Sequence, residues 1–193
     1  MEASMHQFVL YMECKRITPK IWRLVQMPAN CTLGDLHDVI QILMDWDDAH
    51  LFQFCAAGQE YGPKTDPWRS IDDPLVQDMD EVTMMQVLPY CSKIKYIYDF
   101  GDFWELEIKL KKRHKPIDWD RPVCLDGARA GPLEDCGGCF GYAECAQIAR
   151  GEIDDAERKE WCGSWDPEIF DRDACNQRLS QLYGGAPLCT SPS

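Results

Sequence analysis

Trp104, Leu106, Ile108 and Leu110 alternate without a break with Glu105, Glu107, Lys109 and Lys111. Successive side chains of a β-strand point to opposite faces, so this run predicts a strand with one buried face and one face laced with opposite charges. A second run, Lys93 to Tyr98, precedes it, with Asp99-Phe100-Gly101-Asp102 between the two. Gly101 can take a positive φ and the Asp side chains can satisfy turn amides, so the two runs read as a hairpin that anchors Trp104 in the core.

The same period of two recurs where Phe8, Leu10, Met12 and Cys14 alternate with Gln7, Val9, Tyr11 and Glu13. After the break at Thr18-Pro19, Ile21 to Met27 is a second bulky run ended by Pro28, which pairs with the first as a hairpin. The period then changes. Thr32 can cap a helix with Asp35 in the capping-box position, and Leu33, Leu36, Ile40, Leu43 and Met44 recur at helical spacing. Asp35, Asp38, Gln41 and Asp45 fall on the other side, which predicts a solvated face.

Residues 50 to 57 read as a third strand, Gly62 to Asp80 as a long surface loop, and Val82 to Leu88 as an apolar stretch of open secondary structure. Asp118 to Gly141 reads as irregular. A helix follows from Tyr142 to Arg150 with Gly151 as its stop, then a charged segment, Asp154 to Trp161, and a last helix from Arg172 to Tyr183 capped by Asp171. The order predicts an α+β fold: a mixed β-sheet of about five strands with a packed helix in β-grasp-like order, and helices appended at the C-terminus. The expected division is a core domain over 1–151 that includes the Cys-rich loop, a helical extension over 152–185 packed on it, and a tail over 186–193.

Charge and cysteine usage bound the partners. A net charge of −13 repels a phosphate backbone, so the expected partner is a protein rather than nucleic acid. No basic segment followed by an apolar one opens the chain and no run is long and apolar enough to span a bilayer, which predicts a cytoplasmic protein away from membranes. The eleven Cys are odd in number, and Cys14 and Cys55 fall inside apolar periodic segments, so they are expected to be reduced.

Asp99-Phe100-Gly101 matches the magnesium-holding motif of protein kinases, but the Gly-rich and catalytic loops that chemistry needs are absent, and a turn explains the residues better. Cys136-Gly137-Gly138-Cys139 precedes a helix, where exposed amides favour a thiolate, but no strand leads into it as in a thioredoxin-like site. Cys124, Cys136, Cys139 and Cys145 together offer four thiolates for a tetrahedral zinc, with His114 as a possible substitute. Lys109 to Lys115 reads as a solvated strand end. His37 and His50 read as packed or hydrogen-bonded histidines, and with Asp99 and Asp102 they mark a possible surface site. No G-x-S-x-G elbow, P-loop or H-E-x-x-H is present.

Taken together, Ile21-Trp22-Arg23, Leu36 to Gln41, Trp46 to Leu51, Tyr98 to Trp104 and Glu134-Asp135-Cys136-Gly137-Gly138 resemble the plasmid pRiA4b ORF-three-like family, in order and in spacing. Asp166 to Asp171 and Asn176 to Leu179 resemble its C-terminal signature, so the resemblance spans residues 6 to 183. It implies an α+β fold, a prokaryotic origin and an association with plasmids and mobile elements, without an established activity. It also implies a His at the place that Leu106 holds and a Cys at the place that Gly131 holds.

The functional expectation is therefore a non-enzymatic interaction or accessory module. The alternative is a metal- or thiol-dependent enzyme that uses the loop from Cys124 to Cys145 with acidic and aromatic residues near Asp99 to Trp104.

Overall fold

The computed structural model describes residues 6–64, 76–114 and 121–184. The strands are β1 (Gln7–Cys14), β2 (Trp22–Pro28), β3 (Phe52–Ala56), β4 (Gln59–Gly62), β5 (Val76–Asp78), β6 (Ile94–Tyr98), β7 (Trp104–His114) and β8 (Val123–Ala128). They form one sheet in the order β5-β4-β3-β6-β7-β1-β2-β8, in which every pairing is antiparallel except the short β4–β5 ladder. The helices are α1 (Leu33–Met44), α2 (Met84–Val87), α3 (Gly138–Ala149), α4 (Ala156–Cys162) and α5 (Arg172–Tyr183). The fold is α+β with a mixed sheet.

The sheet has eight strands among the described residues, three more than the sequence predicts. β4 and β5 are short strands at one end of the sheet with no room for a periodic signal, and residues 65–75 of the expected surface loop lie outside the described residues. β8 falls in the stretch read as irregular, because Val123 to Ala128 lacks alternation and a bulge between Leu24 and Val25 shifts its register on β2. The apolar stretch before β6 contains α2, whose N-terminus Thr83 and Gln86 close by exchanging backbone and side-chain hydrogen bonds.

The alternation seen in the sequence sets one core face. Met12 pairs with Ile108, Cys14 with Leu106, Tyr96 with Leu106 and Tyr98 with Trp104, all of them buried. On the opposite face Glu107 gathers Lys15, Lys93 and Lys109. α1 is held at its start by the predicted capping box: Thr32 Oγ1 accepts from the Asp35 amide at 3.0 Å and Asp35 accepts from the Thr32 amide at 2.8 Å. Such a cap is worth about 1 kcal/mol. Gln41, assigned to the solvated side, is buried instead and bonds the Tyr96 hydroxyl and the Asp48 amide. The C-terminal helices share this core, with Leu179 and Tyr183 of α5 in the same cluster as the sheet residues. Residues 185–193, which include the expected tail over 186–193, lie outside the described residues. No helix among the described residues is long and apolar enough to cross a membrane.

Candidate metal centre

Three loops meet at the end of β6. The first runs from the end of α1 to β3. It leaves the helix through Asp45 in a left-handed conformation (φ 60°), after which Trp46 stacks on Tyr98 at 4.5 Å and donates through Nε1 to the Pro132 carbonyl. The second is the β6–β7 turn, where the Asp99 amide donates to Leu51 and Asp99 Oδ1 accepts from the Gly101 amide at 2.8 Å. The third joins β8 to α3 and carries Glu134 and Asp135. Glu134 Oε1 accepts from the Asp47 amide at 3.0 Å and from the Tyr98 hydroxyl at 2.8 Å, so all three loops are tied together there.

His50 lies where they meet. Its Nδ1 is 3.9 Å from Asp99 Oδ1, and its Nε2 is 3.3 Å from Asp135 Oδ1 and 3.4 Å from Glu134 Oε2. Nε2 and Glu134 Oε2 are both buried atoms without a hydrogen-bond partner. Ligand atoms of His50, Asp99 and Asp135 lie within 4.8 Å of one another, and this is the only such group of three or more His, Cys, Asp or Glu among the described residues. Asp99 and Asp135 both hold left-handed backbone (φ 55° each), a conformation that Asp tolerates better than most residues. Burial, followed by the Glu134 carboxylate, pushes the Tyr98 phenol well above its ordinary range. Tyr98 thus stays a donor at any physiological pH and fixes Glu134 with its second oxygen turned toward His50. The imidazole of His50 with the carboxylates of Asp99 and Asp135 forms a donor set for a divalent cation, and Glu134 lies beside it on the Nε2 side of the ring.

The other residues singled out from the sequence lie elsewhere. Asp102 bonds the Gly137 amide at 3.0 Å and ties the β6–β7 turn to the start of α3. His37 is buried against Phe52 (ring centroids 3.6 Å apart) and hydrogen-bonded to Tyr96 and Asp48. The four thiols do not converge. Cys124 is buried on β8 next to Cys175 and Arg23, Cys136 and Cys145 are buried near each other, and half-exposed Cys139 faces a different pocket. Burial pushes the thiols of Cys124 and Cys136 up to about 12, so at neutral pH they are protonated and weakly nucleophilic. For Cys136, burial and the Asp102 carboxylate outweigh the helix start that favours a thiolate. The side chain of His114, the substitute ligand, is outside the described residues. Leu106 is fully buried in the core, and a Cβ on Gly131 would lie 1.9 Å from the Met44 carbonyl oxygen, so neither place offers a ligand to this site.

Fold and site together define an α+β domain with a His-and-carboxylate cluster at the junction of three loops. The chain belongs to the family described as plasmid pRiA4b ORF-3-like protein, whose sequence profile matches residues 6–174. It is 32% identical over 170 residues to the uncharacterized protein y4hQ of Sinorhizobium fredii (strain NBRC 101917 / NGR234), spanning 86% of this chain and 83% of that one. The crystal structure of a protein of unknown function, MM3350 from Methanosarcina mazei Go1, is similar with a TM-score of 0.80 at 31% identity. That likeness covers 90% of this chain and 98% of the archaeal one.

Proposed function

We propose that this protein is a metal-dependent interaction or accessory module, with a divalent ion held by His50, Asp99 and Asp135 and with Glu134 as a fourth donor. The observation that supports it is the buried Nε2 of His50, which makes no hydrogen bond yet lies 3.3–3.4 Å from carboxylate oxygens of Asp135 and Glu134. Three carboxylates around one imidazole repel one another until a cation enters, and Tyr98 and the Asp47 and Gly101 amides hold two of them ready for it. Mixed nitrogen and oxygen donors favour zinc, manganese or iron(II) over calcium or magnesium, which take oxygen alone. The net charge of −13 favours a protein partner over nucleic acid. The plasmid setting rests on the family's name.

The test is elemental analysis of protein purified without added metal, followed by titration of the apo form with Zn²⁺, Mn²⁺ and Mg²⁺. The proposal expects one ion per chain, lost in His50→Ala and kept in Cys136→Ser. Metal lost in Cys136→Ser but kept in His50→Ala would instead favour the thiol ligands Cys124, Cys136, Cys139 and Cys145.

A second reading, a metal-dependent enzyme, draws on one observation: a cleft of about 580 Å³ between the end of α1 and the α4–α5 segment shares Glu134 with the cluster. Asp135, whose side chain is 73% exposed, leaves room for water on an ion held there. Metal-stimulated hydrolysis of simple phosphate or carboxylate esters, abolished by Asp99→Asn, would support it over a binding role.

A further inference from the structure

A second pocket, of about 300 Å³, opens between the β1–β2 connection and α3, away from the His50 cluster. Arg16, Arg129 and Arg150 line it together with Thr18, Tyr142 and Cys139, and no carboxylate lines it. That is a local reversal of charge in a chain with 33 acidic and 20 basic residues.

Arg129 is the built part of this pocket. Its side chain is only 7% exposed and its backbone is left-handed (φ 71°). One terminal nitrogen donates to Glu168 and the other to the Tyr142 hydroxyl at 3.2 Å, while Nε is buried without a partner. A buried guanidinium with an unmet donor is costly unless an acceptor arrives. Arg150 faces Glu152 at 2.9 Å and Glu168 at 3.5 Å, and both carboxylates reach it from outside the lining. Arg16, also left-handed (φ 63°), donates to the Phe103 carbonyl and lies over the Phe103 ring. Among the described residues it has no carboxylate partner. Three guanidiniums with two carboxylates between them leave a net positive pocket, and the planar fork of Arg suits oxyanions.

We propose that this pocket binds the phosphate group of a small molecule. The unmet Nε of Arg129 and the net positive charge shared by Arg16 and Arg150 suit a doubly charged phosphate better than a single carboxylate. The volume, at the lower end of small-molecule sites, leaves space beside the phosphate for a compact organic remainder against Ile17 and Ala146.

The experiment is calorimetric titration of the full chain, in EDTA so that the His50 cluster is silent, with inorganic phosphate and with a small phosphate monoester such as O-phosphoserine. Citrate serves as the carboxylate control. Saturable binding that weakens with added salt is expected, at least tenfold weaker in Arg16→Gln and in Arg150→Gln and unchanged in His50→Ala. Tighter binding of the monoester assigns the pocket to a phosphorylated metabolite, and equal binding assigns it to free phosphate. Both variants alter exposed side chains, and unchanged melting temperatures show that they fold. The proposal is overturned if neither phosphate compound binds with a dissociation constant below about 1 mM. It is equally overturned if the two Arg variants bind as the parent does, or if citrate binds better than both.

Discussion

Tyr98 donates a 2.8 Å hydrogen bond to Glu134, and through it the last residue of a central strand fixes a carboxylate on a loop 36 residues away. Around this bond the ends of α1, β6 and β8 come within reach of His50. The account predicts that Tyr98→Phe keeps the fold, because Trp46 still stacks on the ring, but frees Glu134. Loss of such a supporting hydrogen bond weakens metal binding by about 10- to 100-fold. The folding cost should be about 1 kcal/mol. Paired metal titrations and urea unfolding curves check both.

Metal uptake should depend on His50, the single nitrogen donor of the cluster. His50→Ala should remove most of the affinity, since it takes away the nitrogen donor that lies 3.3 Å from Asp135 and 3.4 Å from Glu134. Titrations at matched ionic strength measure it.

His37 gives a pH signature in stability. Its hydrogen bonds are satisfied in the neutral ring when the Tyr96 hydroxyl donates to Nδ1 and Nε2–H donates to Asp48. Burial holds its pKa below the ordinary value, against the opposing pull of Asp48. The unfolded chain therefore takes up a proton first, and the stability due to this residue is present above about pH 6.5 and lost as pH falls through the lower folded value. His37→Gln should flatten the dependence of the urea midpoint on pH in that window, at some cost in stability at neutral pH.

Gly131→Ala should be strongly destabilising, because the new Cβ would overlap the Met44 carbonyl oxygen while Trp46 and Trp165 pin the loop on both sides through Pro132 and Gly131 carbonyls. Overpacking of this kind costs about 1–3 kcal/mol. A drop in melting temperature together with weaker metal binding is expected, since Gly131 and Glu134 share the loop.

The sheet core was readable because alternation in Phe8 to Cys14 and Trp104 to Lys111 is a direct image of which face is buried. α1 was readable from its cap and its stripe. β8 was not, since an edge strand with a bulge and a Gly has no period to detect. The site was half legible. His50 and Asp99 were singled out, but Glu134 and Asp135 were visible only within a family-like stretch, because nothing local says that three loops so distant in sequence converge. Cysteine spacing does not report direction either: Cys136 turns into the core while Cys139, three residues on, faces the arginine pocket.

The most direct measurement is a crystal structure of the protein soaked with Mn²⁺ and collected at a wavelength where manganese scatters anomalously. The account predicts one anomalous peak at bonding distance from His50 and the carboxylates of Asp99 and Asp135. An empty His50 cluster under saturating metal, or a peak among the cysteines instead, would contradict it.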